Sequence, residues 1–581
     1  MSVTVARSSG FCWGVRRAVD LVLAELKRGK GPFRVVGPLV HNPLVLEALA
    51  ERGVECCEDP CTTDGGVLFL RTHGTTLEER RILSENESVK IKDLTCPRVG
   101  RALSVAGSRR AEGHDVIILG DPGHQEVRAL RSYAGGESSF VIQGPSDVAA
   151  LPPLGNPFLL SQTTQDYELF DRTVEALLDR FPNLRWENTI CESTSSRQEE
   201  LRRLFPNADC VVVVGGRDSA NTARLAAIAG DHGLPAMLVE KAEDLDPAVI
   251  GAFRRIVLTA GASTPSWAIR RVLGRLQELQ GTRVRAAYRI LRNLVFANWH
   301  ILVTALLIGL AGGAMTGRSA MSRLLPSVVS ALVLFALHNF NAILESGFSR
   351  VESEERQVFI RKRVKSFAVS GLTALAIAVC LALRLDAVYG IVYALSLALY
   401  AAYSSPLLGS SRLPPGGLRA IPGSRDILFA LGWVIFLSLL PVAAESLRGV
   451  NGIPWPGVAV WSLHLFFLFL GRSLMMDLVD IQGDAMIGRD TIPLALGVRN
   501  SRNLLLVFMG APVILTTASV VAGFLPVGAL FALVGNVYLL WGYSRVSRTP
   551  FPGELITRIA GDGALFAAGA ASLAFALIMG R

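Results

Sequence analysis

Charged residues are scarce: Asp, Glu, Lys and Arg make up 18% of the 581 residues, against about 25% in soluble domains. Disorder, coiled coil and collagen, which need polar or strictly periodic composition, are excluded. The first half has no long apolar run; the first one long enough to matter begins near residue 299. No secretory signal peptide is therefore expected, and the first half is expected to sit in a reducing compartment with free thiols. Cysteine is nearly missing from the second half, where Cys380 stands alone while the other seven precede residue 211. Nucleic-acid motifs are missing too, so the net charge of +9 does not imply a nucleic-acid partner. Apolar residues are what the chain has, at 50% of the total and a mean hydropathy of +0.40. That mean combines two populations. Residues 1–280 read as a soluble domain, 281–297 as a basic linker and 298–581 as a membrane domain.

In the soluble half, short apolar runs end in small or polar residues: Phe33–Val36, Val67–Leu70, Val116–Leu119, Phe158–Leu160, Val211–Val214 and Ile256–Leu258. Amphipathic stretches lie between several of them, at Val19–Lys27, Glu168–Arg180 and Asn221–Ala229. Alternating strand and helix signals predict a parallel α/β fold. Chemistry in such sheets gathers at the carboxyl ends of the strands, where the His, Thr, Ser and Asn residues of this chain fall.

Three cysteines have distinctive settings: GFCWGV at Cys12, LTCPRV at Cys96 and TICEST at Cys191. They stand 84 and 95 residues apart, roughly one α/β unit each. This suggests three units that each bring one thiolate to a common centre. Three thiolates suit zinc, and equally an iron–sulfur cluster with one iron left open. A lone cysteine beside a strand is as often a buried small hydrophobe, the reading given to Cys210. Cys56, Cys57 and Cys61, in ECCEDPC, read as a turn without function. His114 and His232 lack a motif and read as core or surface residues.

Nine segments, GFCWGVRRAV, VGPLVHN, RTHGTT, DLTCPRV, GHQEV, SQTTQ, ICESTSSRQE, GGRDSANTARL and TAGAST, together resemble the IspH (LytB) family of 4-hydroxy-3-methylbut-2-enyl diphosphate reductases. The resemblance implies three α/β units around a [4Fe–4S] cluster and reductive removal of a hydroxyl. It implies that Cys12, Cys96 and Cys191 hold three irons while the fourth takes the substrate oxygen as a Lewis acid. Glu126 would supply the proton for the departing water. Thr163 would stand near that hydroxyl. His41 and His124 would bind diphosphate, with His73 a further active-site imidazole and Ser219, Asn221 and Ser263 meeting diphosphate oxygens. Hydroxyl, amide and imidazole donors at helix starts suit such an anion. The chain departs from the family pattern at Ala220, where a second serine is common. A ferredoxin- or flavodoxin-like protein is the implied electron donor.

The second half holds nine apolar runs, near residues 299–317, 324–344, 366–384, 386–404, 426–444, 457–476, 503–524, 526–543 and 559–579. Each approaches the roughly 20 residues that span a bilayer. With the segment before the first run placed inside, inner flanks carry 19 Arg and Lys and outer flanks 5. This predicts a multi-pass protein of the inner membrane, with the soluble half cytoplasmic and the C-terminus outside.

Asp477, Asp480 and Asp484, in DLVDIQGD, fall at a spacing that predicts one helical face. Three such carboxylates need a cation, and Mg²⁺ bridging a diphosphate is the natural one. Asn341, Glu345 and Ser349 repeat a spacing of four on another inner loop. These features resemble the UbiA family of intramembrane prenyltransferases, which implies nine helices and two Asp-rich Mg²⁺ motifs on the cytoplasmic side. The second motif is intact; in the first, Asn341 and Glu345 fit and Ser349 does not. Arg350, Arg361 and Lys362 suit diphosphate or topology equally, and Tyr403 and Arg425 lie where the family has a polar loop. The expectation is a fusion of reductase and prenyltransferase using diphosphate isoprenoid substrates. The rival makes the membrane half an anchor. A transporter ranks last, because the carboxylates gather at one membrane face rather than at midplane.

Overall fold

The structure is a computed structural model that describes residues 2–29, 31–57, 65–86, 88–279, 282–315, 320–347, 355–404, 423–489 and 491–579. The chain divides into two compact units, Met1–Arg285 and Ala286–Arg581.

Among its described residues, the first unit contains twelve strands: β1 Ser2–Val5, β2 Phe33–Val36, β3 Val54–Cys57, β4 Val67–Leu70, β5 Lys90–Asp93, β6 Asp115–Leu119, β7 Phe140–Ile142, β8 Pro157–Ser161, β9 Arg185–Trp186, β10 Cys210–Val214, β11 Ala236–Val239 and β12 Arg255–Ala260. They form three parallel four-stranded sheets, ordered β1-β12-β10-β11, β3-β2-β4-β5 and β7-β6-β8-β9. Central strands covered on both faces are continuous apolar runs, as in the fully buried CVVVV of β10. Helices such as Tyr167–Arg180, capped by Asp166, close the layers around Phe170 and Leu177.

The three units are not consecutive in the chain. β1 pairs with β12, so the first strand belongs to the last sheet to be completed. Cys56 and Cys57 are not in a turn: they lie on edge strand β3, and Cys57 Sγ donates to the Val35 carbonyl at 3.3 Å. Cys61 lies outside the described residues. Cys210 is buried, and His114 and His232 each place Nδ1 on a backbone carbonyl, of Asn156 and Ile228.

Among its described residues, the second unit is all helical. Among the described residues, seven helices are long and apolar enough to cross a membrane: Ser322–Leu344, Val364–Leu385, Ser424–Leu447, Trp455–Val479, Ile492–Val521, Val527–Arg548 and Glu554–Ile578. An eighth span exists if Ala286–Phe296 and Trp299–Met315, joined at a 64° bend, are taken together. Asn298, with φ of 65°, makes that bend. The remaining expected span folds as the helix Ala387–Ser404, several of whose side chains lie outside the described residues. The expected basic linker is helical as well, within Thr282–Phe296. Close helix approach relies on small residues: a Cβ on Gly535 would stand 2.6 Å from the Ala564 carbonyl.

Candidate active site

Each of the three cysteines stands at a crossover between sheets and at the N-cap of a helix. Cys12 follows β1 and caps Trp13–Lys27, Cys96 follows β5 and caps Pro97–Ala111, and Cys191 follows β9 and caps Glu192–Leu204. Helix amides turn toward the sulfurs. Val15 N donates to Cys12 Sγ at 3.4 Å, whereas the first-turn amides after Cys96 and Cys191 favour their thiolates electrostatically without closing a cap hydrogen bond. Burial pushes the Cys96 and Cys191 thiols up, the amides oppose it, and the nearby Cys12 sulfur adds to the rise. The thiols are therefore close enough to repel one another as thiolates.

A Cβ on Gly14 would stand 2.5 Å from Cys96 Sγ and 3.9 Å from Cys12 Sγ, so only glycine leaves room between these two sulfurs. Among the described residues, no three His, Cys, Asp or Glu side chains are gathered tightly enough to chelate one metal ion. Three thiols at helix starts that line one cleft fit an anionic cluster that shares all three.

The same cleft is lined by the other site residues expected in the soluble half: His41, His73, His124, Glu126, Thr163, Ser219, Asn221 and Ser263, with Ala220 beside them. Glu126 is 1% exposed. Its carboxylate accepts from Thr163 N at 2.6 Å and Thr163 Oγ1 at 2.9 Å. These bonds favour the ionised form, yet burial outweighs them and lifts the acid to about 7. The Thr163 carbonyl in turn accepts from Cys191 N at 2.9 Å, which joins the acid to the thiol centre.

His41, His73 and His124 form a cluster with ring centroids 4.4–5.7 Å apart. Burial pulls all three below the usual range, His124 to about 4, and the imidazoles and Arg71 add to this at His73. His124 Nδ1 accepts from Glu126 N at 3.1 Å, so its neutral ring carries hydrogen on Nε2. His41 Nε2, His73 Nδ1 and both amide atoms of Asn221 are buried without a hydrogen-bond partner. Buried orphans of this kind point to a polar ligand. Ser219 caps Ala220–Asp231 without using its hydroxyl, which leaves it for that ligand. Ser263 Oγ donates instead to the His41 carbonyl at 3.2 Å.

Arg197 was not singled out from the sequence, although it lies in the quoted ICESTSSRQE. It is 3% exposed, and Cys12 and Cys191 are among the ionisable groups that act on it. Its position six residues after Cys191 on the same helix was the available signal.

In the second unit, Asp477 and Asp484 are each 4% exposed. They do not share a continuous helix with Asp480, which stands at the break between Trp455–Val479 and Ile481–Ile487 with φ of −119°. Gly483 lets the chain turn there: a Cβ on it would lie 2.6 Å from Asp480 Oδ2. Arg425 Nη2 donates to Asp477 Oδ1 at 3.0 Å and lies 3.7 Å from Asp426. Asp477 Oδ2 and Thr491 Oγ1 are buried without partners. Asp426, also 4% exposed, is a carboxylate the sequence reading passed over, although it adjoins Arg425.

Asn341 is half-buried on Ala320–Gly347, which also carries Glu345. The side chains of Glu345 and Tyr403, and residues Ser349 and Arg350 entirely, lie outside the described residues. Arg361 Nε donates to the Ser346 carbonyl at 3.0 Å.

A family model described as LytB protein matches residues 3–277. The 4-hydroxy-3-methylbut-2-enyl diphosphate reductase of Geotalea daltonii is 36% identical over 281 residues, which cover 48% of this chain and 98% of that protein. The solved E-1-hydroxy-2-methyl-but-2-enyl-4-diphosphate reductase of Plasmodium falciparum is 28% identical, covering 49% of this chain and 89% of that one with a TM-score of 0.46. A UbiA homologue from Archaeoglobus fulgidus, solved with GPP and Mg²⁺, is similar at 16% identity over 49% of this chain and 99% of that one, with a TM-score of 0.31. Through residues 3–277, this chain belongs to the LytB family.

Proposed function

We propose that the first unit reduces 4-hydroxy-3-methylbut-2-enyl diphosphate to isopentenyl and dimethylallyl diphosphate. The reaction consumes two electrons and two protons and releases one water. The observation that carries the reading is the convergence of three helix-capping thiols, a buried protonatable carboxyl and three imidazoles in one cleft. The 36% identity to a reductase over 98% of its length supports it.

Cys12, Cys96 and Cys191 would hold a [4Fe–4S] cluster, which supplies one electron at a time and an open iron position. Glu126, which titrates near neutrality, delivers a proton from its acid form to the leaving hydroxyl, oriented by Thr163. The Nε2–H of His124, with His41, His73, Ser219 and Asn221, meets the diphosphate. Arrival of that anion raises the imidazole pKa values and draws protons onto them. A ferredoxin- or flavodoxin-like protein delivers the electrons.

The second unit is proposed to transfer a prenyl group from a diphosphate to an acceptor, with Mg²⁺ held by Asp477, Asp480 and Asp484. Mg²⁺ commonly keeps waters and one or two carboxylates while bridging phosphates, and the orphaned Asp477 Oδ2 fits such a ligand. Asn341 and Glu345, on Ala320–Gly347, would complete the site. The rival reading, a non-catalytic anchor, is favoured by Ser349 in the first motif. The protein is proposed to sit in the inner membrane, reductase inward and C-terminus outward, as the basic residues bias it.

Anaerobic purification followed by turnover of hydroxymethylbutenyl diphosphate with a chemical reductant tests the first unit. Absence of both iron–sulfur absorbance and turnover would sink it. Asp477→Asn with Asp484→Asn tests the second: a transferase loses prenyl transfer, and an anchor is indifferent.

A further inference from the structure

Burying an unpaired cation is costly unless anions surround it. Arg197 presents such a cation. Its Nη1 donates to Ser193 Oγ at 3.2 Å, its Nη2 donates to the Gly10 carbonyl, and its Nε is buried with no partner. It thereby ties the segment before Cys12 to the helix that begins at Cys191. The ionisable groups acting on it are Cys12, Cys191 and Glu200. Glu200 is engaged elsewhere: its two oxygens accept from the Arg7 and Ser8 amides, at 2.8 Å each. The guanidinium is thereby fixed between Gly10, two residues before Cys12, and Ser193, two residues after Cys191.

We infer that Arg197 is a positioning residue whose fixed positive charge raises the reduction potential of the centre held by Cys12, Cys96 and Cys191. The inference rests on the reductase reading above. Three thiolates give that centre net negative charge, and each one-electron reduction by the donor adds one more. A cation fixed beside two of the sulfurs stabilises the reduced state more than the oxidised one, because the attraction grows with the charge. Potentials of such centres respond to net charge and to burial, and here the cation is buried. A surface lysine screened by water and salt would not act this way. Arg197 would not touch substrate; it acts through the sulfurs.

The test uses the full chain purified anaerobically in detergent, as wild type, Arg197→Gln and Arg197→Lys. Iron content is measured, and midpoint potential by redox titration followed by electron paramagnetic resonance. The Gln protein is expected to keep its iron and titrate at a more negative potential, with kcat lowered at a fixed donor and KM unchanged. The Lys protein is expected to stay near the wild-type potential, although it loses the fork. A Gln protein with full iron and an unshifted potential would overturn the inference alone. Should the Gln protein fail to hold iron, the Lys protein decides. Retained iron at the wild-type potential supports the cation; lost iron shows a fork serving structure only and overturns the inference. A wild-type protein with no reducible centre would overturn the reductase reading, and this inference with it.

Discussion

Glu126 is costly to keep as a charge and useful to keep as an acid. Its carboxyl is lifted from 4.5 to about 7 by burial. The acid form is thus half-populated near neutrality, and turnover is expected to fall as pH rises through about 7. Glu126→Gln should retain iron, lose on the order of 10²- to 10⁴-fold in kcat, and flatten the pH profile. Stability carries the same signature with a definite sign. Below the unfolded pKa the native and unfolded states bind the proton equally. Between that value and about 7 the native state binds more, so stability falls as pH rises. The full penalty is present above the folded pKa, and at roughly 1.4 kcal/mol per unit it amounts to roughly 3 kcal/mol. The Gln protein should therefore gain in melting temperature over wild type at pH 8 but not at pH 4. Equal gains at both would sink the assignment of this shift to Glu126. Asn221 is a different kind of residue, with both amide atoms buried and unpaired in the free site. Asn221→Ala should raise KM on the order of ten- to a hundredfold with kcat little changed, as loss of a hydrogen bond to a charged group does. Inhibition by inorganic diphosphate should weaken in parallel.

At the scale of elements, the centre is built by helix starts, and Gly14 is what lets two of them approach. Gly14→Ala places a methyl 2.5 Å from Cys96 Sγ, in the first turn of a helix that cannot yield without moving Cys12. The expected outcome is reduced iron content in a folded protein, read by absorbance against an unchanged far-ultraviolet spectrum. The sheets show why part of the fold was legible. All six strands read from apolar runs, β2, β4, β6, β8, β10 and β12, are the interior strands of their sheets. The six unread strands, β1, β3, β5, β7, β9 and β11, are all edges. An interior parallel strand is covered on both faces and must be apolar throughout, whereas an edge such as KIKD in β5 keeps polar side chains in water. The pairing of β1 with β12 left no local trace, because nothing in SVTV names its partner. The candidate site was more legible than the fold, since motifs marked cysteines, histidines, Glu126 and Thr163 that the cleft brings together. Arg197 and Asp426 escaped, because a buried cation and a buried carboxylate look like surface charges until their surroundings are known. The break at Asp480 escaped because spacing alone assumes a continuous helix.

At the scale of the whole molecule, the two proposed sites fall in separate compact units and are expected to respond separately. Asp477→Asn with Asp484→Asn is expected to leave reductase turnover unchanged, since the two carboxylates belong to the other compact unit. Sidedness follows from a different physical term. Arg and Lys resist translocation, and 19 of them flank the inner ends of the apolar runs against 5 at the outer ends. This asymmetry spans the whole second half and does not hinge on any one loop. The first unit precedes the first apolar run, so it is expected on the side of that run's inner flank. A diphosphate substrate cannot cross the bilayer unaided, because its charge is too costly to dehydrate. Inverted inner-membrane vesicles should therefore reduce added substrate at the full rate with an impermeant reductant. Sealed right-side-out vesicles should be silent until detergent opens them. Full activity in intact right-side-out vesicles would place the first unit outside, and would mean that the arginine asymmetry does not orient this chain.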